Sequence, residues 1–285
     1  MAYMILVTGA TGTIGSELVR QLAARGEKVR ALTRDPGAAQ LPPDVEVVRG
    51  DYREPASLDA AMSGATSAFL VGLPGPSGGH DLPLVAAARA AGVGRLVKVS
   101  AIATGDEASG PGSRWHVAGE RAVRESGAGW AVLRPSTFAS NTLDWAVPLA
   151  AGDPVLNLTG DGRQGVIDPR DIAEAAAVLL LADHPANRTY TLTGPALLSV
   201  PDQAAALADV LTRPVPTRDL TPAEAHAHLL SRGWDEATVQ GVLAGSAYVR
   251  RGGNAVVTDD VPRLLGRPAR TYREWAYDHR GEFGV

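Results

Sequence analysis

A glycine-spaced turn, TGATGTIG (residues 8–15), follows a short apolar run near the start of the chain and precedes a helical pattern. Gly9 is expected to permit a tight turn, Gly12 to let the backbone approach a ligand, and Gly15 to pack helix against strand. The start of a helix presents unpaired N–H groups and a partial positive charge, which together suit a pyrophosphate. The alternative is a tight turn that holds no ligand. The turn predicts an anion site formed by Gly9, Thr11, Gly12, Thr13, Ile14 and Gly15.

Short apolar runs alternate with helical segments through the first half of the chain. Runs such as AFLV (residues 68–71) and LVKV (residues 96–99) lack polar alternation, which is typical of parallel strands buried on both faces. The pattern predicts an α/β fold with a doubly wound parallel sheet and helices on both faces. We expect a core in residues 1–150, completed by elements from residues 165–195, and a smaller C-terminal α/β subdomain in residues 151–285.

Composition excludes several classes of function. The net charge of -4 and the pI of about 5.9 argue against a nucleic-acid partner, which needs a basic surface. The absence of cysteine excludes disulfides, thiol nucleophiles and thiolate metal sites. His226 and His228 are two positions apart in an apparent helix and point to different faces, so no metal site is expected. No apolar run has the length of a membrane span, and a cytoplasmic protein is expected.

The second predicted strand, KVRALTR (residues 28–34), should end beside the ribose of a bound dinucleotide. Thr33 and Arg34 stand where an acidic residue usually selects NAD, and a guanidinium suits the 2′-phosphate of NADP. Alternatively, Arg34 pairs with Asp35 on the surface. Asp51 and Tyr52 follow the third strand, where an adenine edge would lie, although Asp51 could equally cap a turn. The sequence favours NADP(H) over NAD(H).

Six stretches occur in an order that resembles the NmrA-like branch of the atypical short-chain dehydrogenase/reductases. They are TGATGTIG, GDYREPASLDAA, VKVSA, HVAGERAVRESGAGWAVLRPSTF, VIDPRDIAEAAA and YTLTGP. The resemblance covers nearly the whole chain and implies a Rossmann domain that binds NAD(P), with the smaller subdomain over the nicotinamide end. The branch includes quinone and carbonyl reductases as well as catalytically silent cofactor sensors, so membership does not decide activity.

In reductases of the wider superfamily, a serine and a tyrosine polarise the substrate carbonyl and a lysine holds the nicotinamide ribose. By this resemblance Ser100 takes the serine position, His116 the lysine position and Gly112 the tyrosine position. No tyrosine occurs in residues 53–189, so the usual proton donor is absent. Ser100 and His116 are the candidate catalytic residues and also candidate cofactor contacts. Alternatively, Ser100 bonds local backbone and His116 is a helix-face histidine held by Glu120.

Further contacts are expected where the fourth and sixth strands end. Val71 and Gly72 end the fourth strand, and the loop GLPGPSGG (residues 72–79) follows it. Residues 213–251 form a helical insert that could close over a substrate as a lid. The contacts expected after the sixth strand, beside the carboxamide, are Pro135, Ser136 and Phe138.

Two functions remain open at this point. One is an oxidoreductase that delivers hydride from NADPH to a carbonyl or quinone carbon, with an aromatic, polyketide-type substrate as the favoured example. Such a substrate needs little help with protonation, because its reduced form is a stabilised phenolate. The other is a catalytically silent sensor of NADP(H), which would explain the missing tyrosine equally well. A small-molecule substrate and a monomer or homodimer are expected, without a nucleic-acid or membrane partner.

Overall fold

Strands and helices alternate in the first half of the chain. The computed structural model describes residues 3–72 and 79–284, so residues 73–78 of the predicted GLPGPSGG loop lie outside the described residues. The elements of this half are β1 (Ile5–Val7), α1 (Thr13–Ala24), β2 (Val29–Thr33), β3 (Glu46–Arg49), α2 (Pro55–Met62), β4 (Ser67–Leu70), α3 (Asp81–Ala90), β5 (Arg95–Val99), α4 (Val117–Arg124) and β6 (Gly129–Pro135).

The second half has shorter strands and more helices. Its elements are α5 (Ala146–Ala150), β7 (Val155–Asn157), β8 (Gln164–Gly165), α6 (Pro169–Leu181), β9 (Arg188–Leu192), β10 (Leu197–Leu198), α7 (Val200–Leu211), β11 (Thr217–Asp219), α8 (Pro222–Ser231), α9 (Glu236–Arg250), α10 (Asp260–Leu265) and α11 (Tyr272–Asp278). The sequence sets several helix starts directly. Asp168 caps α6 in front of a proline, and Ser199, Thr221 and Thr271 form capping boxes at α7, α8 and α11.

The main sheet has seven parallel strands in the order β3-β2-β1-β4-β5-β6-β9. The order reverses between β1 and β4, and in open α/β sheets this switch point is where ligands bind at the carboxyl ends of the strands. The predicted Rossmann-type fold is confirmed.

Alternate residues of each strand pack into opposite helix layers, as the pleat requires. Leu6 and Leu96 face the core beneath α2, α3 and α4, whereas Val7 and Val97 face α1 and α6. Lys98 therefore lies on the same face of β5 as Leu96, towards α3 and α4. This alternation places one charged side chain within an apolar layer.

The C-terminal part forms its own core, in which Trp275 of α11 packs near Leu207 of α7. Two short strand pairs, β7 with β11 and β8 with β10, complete it. The helix α10 instead packs on α6 and β9, so the chain returns to the main sheet before α11. The division at residue 150 stays a prediction.

In residues 3–72 and 79–284, no helix combines the length and the apolar character required to cross a bilayer. Over the same ranges, no group of three or more His, Asp or Glu side chains is arranged to hold a metal ion.

Candidate active site

The turn between β1 and α1 has the geometry that its glycines predict. Gly9 has φ of +59°, a conformation that side chains disfavour. A Cβ at Gly15 would lie 2.1 Å from the Gly9 carbonyl oxygen, so helix and turn meet backbone to backbone. Gly12 is the N-cap of α1 and no side chain caps the helix start. Thr11, Gly12 and Thr13 are exposed, which leaves the helix N-terminus open to an anion.

A cavity of about 670 Å³ opens beside this turn, at the carboxyl ends of the first four strands. The predicted cofactor residues that line it are Gly9, Thr11, Gly12, Thr33, Arg34, Asp51, Tyr52 and Val71. Thr13, Ile14 and Gly15 follow in the first turn of α1, and the side chain of Ile14 is buried in the core. Ile14 can therefore offer only its backbone N–H to a ligand.

Arg34 is exposed at the rim of this cavity. The alternative pairing with Asp35 is not formed, because the Asp35 carboxylate accepts hydrogen bonds from the N–H groups of Gly37 at 3.0 Å and Ala38 at 3.3 Å. In the described part of the chain the Arg34 guanidinium has no ion-pair partner. It is available to a ligand phosphate.

Arg53, which the sequence analysis did not single out, neutralises Asp51 at the same cavity. Its Nη2 lies 3.0 Å from Asp51 Oδ2, and its backbone N–H donates to Asp51 Oδ1 at 2.9 Å. The hydrogen bonds from Arg53 hold the pKa of Asp51 well below its usual range, with a smaller contribution from Arg34. Asp51 thus has the turn role that was one of its two predicted roles, and it also lines the cavity.

Tyr52 closes the cavity on the side of β4. Its hydroxyl donates to the Val71 carbonyl oxygen at 2.9 Å, and its ring stacks on His80 at 4.3 Å between centroids. Burial raises the pKa of Tyr52 above its ordinary value, so the phenol stays protonated. Gly72 follows Val71, and a Cβ there would lie 2.8 Å from Asp81 Oδ1.

Ser100 is buried at the end of β5 in a charged hydrogen-bond network. Its hydroxyl donates to Glu120 Oε1 at 2.6 Å. The guanidinium groups of Arg134 and Arg124 bind the same carboxylate, at 2.8 Å and 2.6 Å. Burial alone would raise the pKa of Glu120, but hydrogen bonds from Arg134 and Ser100 hold it below its ordinary value. The hydroxyl hydrogen of Ser100 is therefore directed at Glu120 and not at the cleft.

His116 is the N-cap residue of α4, and Glu120 does not hold it. Its Nδ1 lies 3.9 Å from Asp81 Oδ2, and its side chain is 13% exposed. Nδ1 is buried and forms no hydrogen bond in the described part of the chain. The partner that the structure places beside His116 is thus Asp81 of α3.

Asp81 in turn faces Lys98, whose Nζ lies 2.8 Å from its Oδ2. Neither residue was predicted from the sequence, although a signal existed. Lys98 is one of two lysines in the sequence and stands inside an apolar strand. A buried strand position rarely carries a charge without a partner.

Several buried side-chain polar atoms have no hydrogen-bond partner in the described part of the chain. Besides His116 Nδ1, they include Ser136 Oγ after β6 and Ser113 Oγ in the segment before α4. Buried polar atoms are nearly always paired, so these groups fit a polar ligand such as the ribose and carboxamide of a nicotinamide. Pro135 ends β6 beside Ser136, whereas Phe138 packs partly into the core.

The α8–α9 hairpin lies within the predicted lid and packs against the segment between β5 and α4. The Tyr248 hydroxyl of α9 donates to Asp106 Oδ2 at 2.6 Å. A Cβ at Gly241 would lie 3.2 Å from the Trp115 ring, so α9 approaches Trp115 closely. The contacts place the hairpin over the segment that carries His116.

Comparisons with known proteins agree with this geometry. Residues 9–183 match the model of a family described as NAD(P)H-binding. A (4-alkanoyl-5-oxo-2,5-dihydrofuran-3-yl)methyl phosphate reductase from Streptomyces griseus is 38% identical over 98% of this chain and 99% of its own length. An NAD(P)H azoreductase from Xenophilus azovorans is 34% identical over 99% of this chain and 100% of its own length.

Among solved structures, the Escherichia coli quinone oxidoreductase QOR2 complexed with NADPH has a TM-score of 0.83 and 25% identity, with 96% of this chain and 99% of that chain covered. The matches confirm the predicted oxidoreductase class and the predicted NADP(H) cofactor. The chain belongs to the NAD(P)H-binding family, in the NmrA-like branch of the atypical short-chain dehydrogenase/reductases.

Proposed function

We propose that this protein is an NADPH-dependent reductase that transfers hydride to a conjugated carbonyl or quinone carbon. The observation that carries the proposal is the cavity at the carboxyl ends of the first four strands. It joins the open N-terminus of α1 to Arg34, which has no ion-pair partner in the described residues. The helix start suits the pyrophosphate of NADPH, and the guanidinium suits its 2′-phosphate.

The preference for NADPH is assigned to Arg34, with Arg53 in support. Arg34 would bind the 2′-phosphate, since its guanidinium is exposed at the cavity and has no other partner in the described residues. Asp51 would otherwise repel that phosphate, and Arg53 neutralises it at 3.0 Å. With Arg53 beside it, the Asp51 carboxylate is compatible with NADPH binding in the cavity.

The bound cofactor supplies a hydride with its electron pair. The chain places the acceptor, excludes water with the α8–α9 hairpin and supplies a proton. Ser100 donates to Glu120, so we assign it to positioning of α4, and we assign proton donation to His116. The tyrosine that usually donates this proton has no equivalent, and Gly112 at its position has open space around it.

The proposed substrate class rests on what the compounds reduced by the relatives have in common. A furanone that carries an alkanoyl group, an azo compound and a quinone are all conjugated, electron-poor acceptors. Their reduced forms are stabilised by delocalisation, so a site with a modest proton donor suffices. We therefore propose a flat conjugated ketone, enone or quinone, including the aromatic polyketide type.

The test measures cofactor binding and turnover separately. Wild type and Arg34→Ala are titrated with NADPH and NADH, and NADPH oxidation is followed with a panel of quinones, acyl furanones and aromatic ketones. We expect tighter binding of NADPH by wild type and loss of most of that preference in Arg34→Ala. Arg25→Ala removes an equally exposed guanidinium outside the cavity and should bind both nucleotides like wild type.

Tighter binding of NADH by wild type would refute the assignment of Arg34. Micromolar NADPH binding without oxidation across the panel would refute the reductase and favour a cofactor sensor.

A further inference from the structure

A buried ion pair lies beside His116, on the face of β5 that carries α3 and α4. The Nζ atom of Lys98 lies 2.8 Å from Asp81 Oδ2 and donates to the Val99 carbonyl oxygen at 2.8 Å. The two charged side chains are 1% and 2% exposed. Such a pair loses in desolvation about what it gains in attraction, so stability alone is a poor explanation for it.

Two glycines fit closely around the Asp81 carboxylate. A Cβ at Gly119 would lie 2.1 Å from Oδ2, and a Cβ at Gly72 would lie 2.8 Å from Oδ1. Backbone at the end of β4 and in the first turn of α4 therefore confines the carboxylate. The structure holds Asp81 in one place at the nicotinamide end of the cleft.

The buried Nδ1 atom of His116 faces this fixed carboxylate. The 3.9 Å between Nδ1 and Asp81 Oδ2 is longer than a hydrogen bond. Catalytic hydrogen bonds are often long in the free enzyme and shorten when ligands bind. With Nδ1 directed at Asp81, Nε2 is the nitrogen left for the cleft.

We infer that Asp81, held in place by Lys98, is the positioning residue that orients His116 as proton donor to the substrate. The inference rests on the proposed function and deepens it. A bound reduced nicotinamide would supply hydride to the acceptor carbon, and the carbonyl π pair would move to oxygen as the C–H bond forms. The Nε2–H bond of the His116 imidazolium breaks as the O–H bond forms, and solvent later returns a proton to the ring. The Asp81 carboxylate accepts a hydrogen bond from Nδ1–H and so fixes the orientation of the ring.

The other ionisable groups around His116 are mostly neutralised. Lys98 balances Asp81, and Glu120 is balanced by its two arginines. Tyr52 lies near enough to Asp81 for that charge to affect its pKa, but burial keeps it a neutral phenol. Asp81 is therefore the group placed to accept a hydrogen bond from His116 Nδ1.

The test compares Asp81→Asn with the double variant Asp81→Asn/Lys98→Met, which removes both buried charges and so avoids an unpaired lysine. We expect NADPH affinity within about threefold of wild type. General acids contribute about 10² to 10⁴ in rate, so kcat should fall at least about tenfold. In Asp81→Asn the dependence of kcat on pH should also differ from wild type, because the imidazole of His116 loses its neighbouring carboxylate.

A second readout does not need turnover. The imidazole resonances of His116, assigned with His116→Ala, report its tautomer by NMR, and they should change in each Asp81 variant. The matched control is Asp171→Asn, which removes another buried carboxylate that arginines pair on the far face of the sheet. It should lower stability but leave the pH profile and the His116 resonances unchanged.

The inference would be overturned if both Asp81 variants kept the kcat, the pH profile and the His116 resonances of wild type. If wild type oxidises NADPH with none of the acceptors in the panel, the proposed function is refuted separately, since the His116 resonances still support or overturn the contact with Asp81.

Discussion

The carbonyl oxygen of Gly9 lies 2.1 Å from the position that a Cβ at Gly15 would occupy. Gly15→Ala must therefore push α1 away from the turn, and overpacking of this kind costs about 1–3 kcal/mol. The displaced helix start should also bind NADPH more weakly, and thermal unfolding with and without NADPH measures both effects. Gly245→Ala in α9 meets nothing within 4 Å and should be neutral or stabilising. If Gly15→Ala and Gly245→Ala had the same stability and the same NADPH affinity, the packing role of Gly15 would be contradicted.

Arg53 should matter for NADPH more than for NADH. Arg53→Ala leaves Asp51 without its neighbouring guanidinium, so a carboxylate then faces the 2′-phosphate. We expect NADPH affinity to fall several-fold and NADH affinity to change little, as measured by fluorescence titration. Arg49→Ala removes a neighbouring arginine whose partner is Glu54, outside the cavity, and serves as the control. An equal loss for both nucleotides would show that Arg53 acts on the turn and not on the phosphate.

The sequence was sufficient to predict the turn and the fold because their requirements are local. Gly9 and Gly15 are needed by backbone geometry within one turn, and the strand runs follow from hydrophobic pattern alone. The position of Arg34 at the end of β2 followed in the same way. The sequence did not predict that Arg34 is unpaired with Asp35, since both the paired and the unpaired arrangement fit the sequence.

The polar networks around Ser100 and His116 depend on contacts between elements that are distant in sequence. The pairing of Asp81 with Lys98 needs the register of α3 against β5, which no local pattern specifies. The hydrogen bond from Ser100 to Glu120 likewise depends on the rotation of α4. Sequence reasoning could find His116 and Ser100 by resemblance, but it could not tell which acid each one faces.

Glu120 should make stability depend on pH. Its pKa is lower in the folded chain than in the unfolded chain, so its contribution is fully present above the ordinary glutamate pKa of about 4.3. That contribution is lost as the pH falls through the lower folded value. The Arg134 and Arg124 side chains that Glu120→Gln leaves without this carboxylate are 27% and 38% exposed, so solvent screens their charges and the loss of stability at pH 7 should be below the roughly 3–5 kcal/mol of a fully buried pair. Below about pH 4.3, unfolding midpoints should fall more steeply in wild type than in Glu120→Gln, and parallel curves would contradict this role.

Tyr248 should couple the α8–α9 hairpin to the substrate. Its hydroxyl is the hydrogen-bond donor to Asp106, and this contact joins α9 to the segment that leads to His116. Tyr248→Phe removes only that bond, so the change in stability should be small, about 1 kcal/mol or less. Looser docking should raise KM for the acceptor several-fold and speed amide exchange in α9, while NADPH affinity stays constant because the adenosine cavity is unchanged. Tyr277→Phe alters an exposed tyrosine on α11 and provides the control. Unchanged KM and unchanged exchange in Tyr248→Phe would mean that the hairpin is held by its apolar contacts with Trp115 and does not act as a lid through this bond.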